Sequence, residues 1–229
     1  MASNVLLERL PPAALARLQP RLETVPLHKG QTLFEAGEPV RYLHFPTSGL
    51  VSLVGITLTG GMVELATVAN DGVVGLPIIL HARAAPCLAT VQIAGSAFRL
   101  RADAFDADLR ANAVLHDALL EYAHQHVAEV SQAVVCQCFH SVLQRLCRWL
   151  LTATDRLKTD TLELTQENLA LILGVLRSGI TEAAGELQDA DAIRARYGRI
   201  VIRNRLLLQR SACECYHPMD GVQPRVART

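Results

Sequence analysis

Six arginines, Arg194, Arg196, Arg199, Arg203, Arg205 and Arg210, fall between residues 194 and 210 with no Asp or Glu among them. The planar guanidinium matches the oxygens of a phosphate two at a time, so such a strip points to a polyanionic partner. A solvated charged strand would look the same in isolation. The 229-residue chain has a formal net charge of +0, so it has no global attraction for polyanions. The charge is unevenly placed, however. Residues 1–139 carry 9 basic and 12 acidic side chains, and residues 140–229 carry 13 and 10.

The elements that must hold this strip are legible just before it. Leu169, Ile172 and Leu173 make an apolar stripe at helical spacing, and Gly174 closes that helix. Ile180, Ala183, Ala184 and Leu187 repeat the pattern. Two short helices about a Gly-containing turn are the sequence form of helix-turn-helix, although a compact helix pair also serves as plain core. Two β-prone runs about Tyr197-Gly198 then read as a wing from Ile193 to Ile202. Thr165 is placed to cap the first helix. Arg196 and Arg199 sit in the wing, and phosphate is the expected partner for Arg199.

Upstream the texture differs. Between Val25 and Leu100, β-prone runs alternate with Gly30, Gly37, Pro46, Ser48-Gly49, Gly60-Gly61, Asp71-Gly72 and Gly95. That spacing suggests an antiparallel barrel or sandwich, with an eight-stranded jelly roll as one solution. A short helix interrupted by Pro11-Pro12 precedes it. From Ala104 to about Leu157 the pattern is helical, and Leu120, Ala123, Val127, Val130 and Val134 alternate in steps of three and four. Such a seam either packs on its own barrel or pairs with its twin in a homodimer. The expected fold class is therefore α+β. It comprises a β-barrel sensor over 1–110, a dimerisation helix over 111–139, a winged helix-turn-helix over 140–216 and a loose tail over 217–229.

Other chemistry finds little support. The six cysteines include two CxC pairs, Cys136/Cys138 and Cys213/Cys215, and no CxxC. That spacing suits a zinc knuckle poorly, so all six are expected to be small buried thiols, with no metal or cofactor. His28, His44 and His81 stand singly and are expected at the surface or capped. No Gly-x-Ser-x-Gly elbow is present, and an enzyme is not expected. No apolar run reaches bilayer length, and no signal-peptide pattern opens the chain, so a cytoplasmic protein without a membrane partner is expected.

Three stretches carry a resemblance. They are Gly30-Gln-Thr-Leu-Phe-Glu-Ala-Gly37 with Tyr42-Leu-His-Phe and Gly49-Leu-Val-Ser-Leu; Thr165-Gln-Glu-Asn-Leu-Ala with Gly174-Val-Leu-Arg-Ser-Gly-Ile-Thr-Glu; and Gly198-Arg-Ile-Val-Ile. In this order they resemble the Crp/Fnr family of bacterial transcription regulators, with a cyclic-nucleotide-binding-like barrel. Phe139 and Arg145 fall where that family passes from its dimer helix into its second domain. The resemblance implies double-stranded DNA, a second copy of the chain, RNA polymerase and a small-molecule effector as partners. It also implies that Arg177, Ser178 and Glu182 face base edges, with Thr181 beside them. The family's nucleotide ligands are not matched: Leu76 stands at the Glu position and Pro86 or Cys87 at the Arg position. Cyclic AMP is therefore not expected, and Arg83 is the candidate for a displaced phosphate ligand. Leu176 lacks a capping hydroxyl, Gly179 weakens its helix by about 1 kcal/mol relative to Ala, and Glu182 and Glu186 oppose phosphate. A DNA-binding-deficient or effector-independent relative acting through protein contacts is the alternative.

Overall fold

A computed structural model describes residues 3–82 and 84–217. Arg83, and positions 218–229 of the expected loose tail, lie outside the described residues. The chain divides into two units, residues 1–56 with 65–127 and residues 57–64 with 128–229.

The first unit opens with α1 (Val5–Arg9) and α2 (Pro12–Leu18), separated where the two prolines were expected to interrupt the helix. The Asn4 side chain accepts from Leu7 N to cap α1, and its amide donates to the carbonyls of Pro46 and Gly72. Next come β1 (Glu23–Leu27), β2 (Thr32–Phe34), β3 (Tyr42–Ile56), β4 (Met62–Val68, whose first three residues are counted with the second unit), the short helix α3 (Leu76–Ile79) and β5 (Leu88–Arg101). The strands form one antiparallel sheet in the order β1-β5-β3-β4, with β2 also on β5.

The sheet has five strands among the described residues, fewer than the eight considered from sequence, because β3 and β5 each run through a glycine expected to separate strands. The β3–β5 register shifts around Ser48 and Leu50. There, a Cβ on Gly49 would lie 2.6 Å from the Ile93 carbonyl oxygen, and one on Gly95 would lie 2.3 Å from that of Ser48. The missing side chains let the two backbones touch, so the paired strands bend and continue. The resulting sheet is jelly-roll-like but open.

One core of this unit gathers Leu6, Leu18, Leu43, Phe45, Leu100, Phe105, Leu115 and Leu119; a second gathers Leu27, Phe34, Val51, Val68, Val74, Cys87 and Val91. The helices α4 (Ala102–Ala111) and α5 (Ala113–Phe139) complete it, α5 running on into the second unit. His44 is buried rather than at the surface, and its Nδ1 has no hydrogen-bond partner. Burial, and then the charge of Arg99, hold its pKa down at about 4, so the ring is neutral. His28 is exposed, and exposed His81 pairs with Asp106 at 3.1 Å.

In the second unit, α6 (Val142–Leu157) starts at a capping box formed by Ser141 and Gln144. It is followed by β6 (Thr161–Leu162), α7 (Gln166–Leu173), α8 (Arg177–Asp189), β7 (Ile193–Arg196), β8 (Arg199–Ile202) and α9 (Arg205–Ser211). The small sheet has the order β6-β8-β7. Leu146, Leu150, Leu169, Ile172, Ile180, Leu187, Ile193, Ile200 and Leu208 fill its interior. Among the described residues no helix is long and apolar enough to cross a membrane.

Candidate nucleic-acid interface

The helix pair is built from local signals at each end. Thr165 Oγ1 accepts from Asn168 N at 3.1 Å, and Asn168 Oδ1 accepts from Thr165 N at 3.2 Å, closing a capping box on α7. At the other end the chain turns through Gly174, at φ +60°. The Leu173 carbonyl at this end accepts from the buried guanidinium of Arg145 and from Gln137 Nε2. The negative end of the α7 dipole thus meets a cation, and the turn into α8 is held from beneath.

Helix α8 buries Ile180, Ala183, Ala184 and Leu187 and turns Arg177, Ser178, Thr181, Glu182 and Glu186 outward. Those positions recur at three and four residues, so they share one exposed face. The helix begins where sequence placed it, next to Leu176, which supplies no side-chain cap. Its first amides are therefore left open to solvent or to an anion. Thr181 differs from its neighbours. Its hydroxyl lies 3.0 Å from both Gln166 Oε1 and the Arg177 carbonyl, so it ties α8 to α7 and to its own preceding turn.

The wing is a two-residue hairpin. Tyr197 and Gly198 take φ of 50° and 69°, the mirror-image turn whose twist matches that of the strands it joins. Arg196 lies over the Tyr197 ring, 4.8 Å from its centroid, and donates to the phenol oxygen at 3.2 Å. This contact holds the guanidinium at the wing tip without neutralising it.

The tertiary structure divides the six arginines of the strip. Arg205 is folded inward: it donates to Asp155 and to the Tyr216 hydroxyl, which in turn donates to Asp155 at 2.8 Å. Burial opposes its charge, but Asp155 and Tyr216 more than offset that, and its pKa rises above the ordinary value. Arg205 is therefore a structural residue. Arg199 pairs with Glu163 at 3.1 Å, and Arg203 approaches Asp191 at 4.0 Å, all four side chains being exposed. Arg194, Arg196 and Arg210 are exposed as well. The apparent lack of acids held only along the chain.

On α5 the five expected seam residues differ in exposure. Leu120, Val127 and Val134 are exposed, Val130 is half-buried, and Ala123 is buried. The exposed face instead runs through His124, Ser131 and Cys138 beside those three apolar residues. Cys138 is exposed, contrary to expectation, while Cys87, Cys136, Cys147, Cys213 and Cys215 are buried as expected.

In the segment from Gly72 to Leu88, the polar side chains among the described residues are His81 and Cys87. Leu76 packs against the first core and Cys87 lies in the second. Neither position offers a charge to a nucleotide.

Comparisons with known proteins agree with this architecture. Residues 24–112 match the cyclic nucleotide-binding domain, and residues 144–211 match the Crp-like helix-turn-helix domain. Among solved structures, FixK2 from Bradyrhizobium japonicum is similar with a TM-score of 0.73 and 16% identity, over 84% of this chain and 98% of that one. A CRP-family transcriptional regulator from Thermus thermophilus gives a TM-score of 0.71 and 17% identity, over 85% and 99%. The c-di-GMP-responsive global regulator CLP from Xanthomonas campestris gives 0.68 and 15%, over 84% and 99%. No curated protein sequence matches the chain. With a nucleotide-binding-type sheet, a long helix and a Crp-like winged head in one order, the chain belongs to the Crp/Fnr family of DNA-binding transcription regulators.

Proposed function

We propose that the protein is a homodimeric, cytoplasmic transcription regulator that binds a two-fold symmetric DNA site and whose barrel answers to a signal other than cyclic AMP. The carrying observation is the outward face of α8, with Arg177, Ser178 and Glu182, followed along the chain by a wing with exposed Arg196 and Arg199, on a helix pair capped at Thr165. Arg177 is suited to O6 and N7 of a guanine, and Glu182 to the amino group of a cytosine. Arg196 and Arg199 are suited to phosphate, which sets register without reading sequence. Thr165 and Thr181 act first as the cap and the brace that position this face.

Leu120, Val127 and Val134 on α5 supply the apolar strip for pairing with a second copy. Two heads so joined would reach successive major grooves about 34 Å apart. An effector acts by favouring one arrangement of the heads, and RNA polymerase is the expected protein partner. The apolar replacements at Leu76 and Cys87 argue against cyclic AMP as effector, because a buried phosphate without a cation is strongly disfavoured. The c-di-GMP response named for the Xanthomonas relative supports a different ligand in this type of barrel. Arg83 remains the candidate for contact with an anionic effector.

Fluorescence anisotropy against DNA selected from a random pool, repeated across a salt series, tests the reading. Specific binding with log K falling linearly against log salt is expected. A dimer that selects no sequence would instead identify a relative working through protein contacts. Calorimetry with cyclic AMP should give no heat, and saturable micromolar binding would overturn the effector argument.

A further inference from the structure

Cys136, His140, Cys213 and Cys215 come together in the second unit although 77 residues separate Cys136 from Cys213. One ligand atom from each lies within 4.8 Å of all the others. We propose that these four side chains bind a single tetrahedral zinc ion, as three thiolates and one imidazole.

Two of the ligand separations match a single tetrahedral metal, and the four atoms together are close enough to close on one ion. With Zn–S near 2.3 Å and Zn–N near 2.0–2.1 Å, tetrahedral ligation sets sulfurs about 3.8 Å apart and sulfur and nitrogen about 3.6 Å apart. The Cys136 and Cys213 sulfurs lie 3.6 Å apart, and the Cys215 sulfur lies 3.6 Å from His140 Nδ1. A four-iron cluster would hold its cysteines further apart, because each binds a different iron, and a two-iron cluster would separate its two pairs of ligands, whereas here all four ligand atoms lie within 4.8 Å of one another. Soft thiolates with one imidazole in a closed tetrahedron are the donor set of structural zinc.

The surroundings are those of a built site. His140 turns Nδ1 toward the sulfurs while its Nε2 lies 3.1 Å from Glu214 Oε1, the carboxylate–histidine arrangement that orients a ligating imidazole. Gln132 Nε2 donates to the Cys215 sulfur at 3.0 Å. All three cysteines are buried, Cys136 at 1% exposure. Three thiolates around a divalent ion leave one net negative charge, which the guanidinium of Arg148, close enough to act electrostatically on Cys136, partly offsets.

The sequence concealed the site because each half is insufficient. Cys136 and His140 stand one helical turn apart at the end of α5, and Cys213 and Cys215 follow the end of α9. Neither half has the two-residue gap of a knuckle; the fold of the unit supplies the missing proximity. Zinc here would tie the segment after α9 to the last turn of α5, fixing the two ends of the DNA-binding unit to each other.

The test is metal analysis of the full-length protein purified under reductant, followed by cobalt(II) titration of chelator-treated protein. About one zinc per chain is expected, together with visible absorption of tetrahedral thiolate-bound cobalt that saturates at one equivalent. Cys213→Ser and Cys215→Ser should each remove at least nine-tenths of the bound zinc, whereas Cys138→Ser, at the exposed thiol, should leave it intact. The wild-type cobalt spectrum decides the matter even if a variant misfolds. Absence of metal and of cobalt bands would overturn the proposal. So would iron with acid-labile sulfide, a Cys136–Cys213 disulfide in the reduced preparation, or zinc content unaffected by Cys213→Ser in a folded variant.

Discussion

Arg199, at the start of the second wing strand, donates to Glu163, which lies just before α7, at 3.1 Å. Both side chains are well exposed, so the pair contributes little to stability. If the wing meets DNA as proposed, a phosphate would compete with Glu163 for the same guanidinium. Arg199→Ala should weaken binding to all DNA sequences alike and reduce the salt slope by about 1. Glu163→Gln should strengthen binding and leave sequence preference unchanged. An anisotropy salt series on the two variants checks both; equal affinities in wild type and Arg199→Ala would remove the wing tip from the interface.

Arg177 and Thr181 stand one helical turn apart, but Arg177 is exposed whereas the Thr181 hydroxyl is already engaged. Arg177→Ala should cost about 1–3 kcal/mol of discrimination and relax selection at one base position. Thr181→Val removes a hydroxyl already engaged by Gln166 and the Arg177 carbonyl, so it should cost about 0.5–1.5 kcal/mol of stability with the selected sequence preserved. Sequencing of bound pools, paired with urea unfolding, separates the two effects.

The face of α5 yields a contrast between neighbouring positions. Val127→Glu or Val134→Glu should shift the protein to a monomer in light scattering while the protomer stays folded. Ala123→Glu should unfold the first unit, because that side chain is 5% exposed and a buried carboxylate without a partner is severely penalised. A dimer that survives both valine substitutions would move the interface elsewhere.

His44 makes stability depend on pH. Its folded pKa of about 4 lies below the ordinary 6.5, so the unfolded chain takes up the proton first on acidification. Stability from the neutral ring is complete above pH 6.5 and declines as pH falls toward 4, by on the order of 3 kcal/mol. Denaturant midpoints from pH 7 to 4.5 should fall more steeply for the wild type than for His44→Phe. Parallel curves would show that other groups carry the acid sensitivity.

Much of the candidate interface could be written from neighbouring residues alone. The apolar stripes around Leu169 and Ile180, the cap at Thr165, the stop at Gly174 and the Tyr197-Gly198 turn each depend on partners within a few positions, and the structure forms all of them. The order of these elements was enough to place the chain in its family. Contacts between distant residues were beyond such a reading. Gly49 and Gly95 look like strand breaks until the close approach of their backbones shows that the strands pass through them. Ala123 and Leu120 are both apolar positions on one helix, and packing decided which is buried. Arg205 and Arg194 are alike in the sequence, yet one is folded onto Asp155 and the other is exposed. The gathering of Cys136, His140, Cys213 and Cys215 is of the same kind. Local torsional preferences and hydrophobic period specify elements, whereas the partner of a charge or a thiol depends on which distant surface the folded chain brings within a few ångströms.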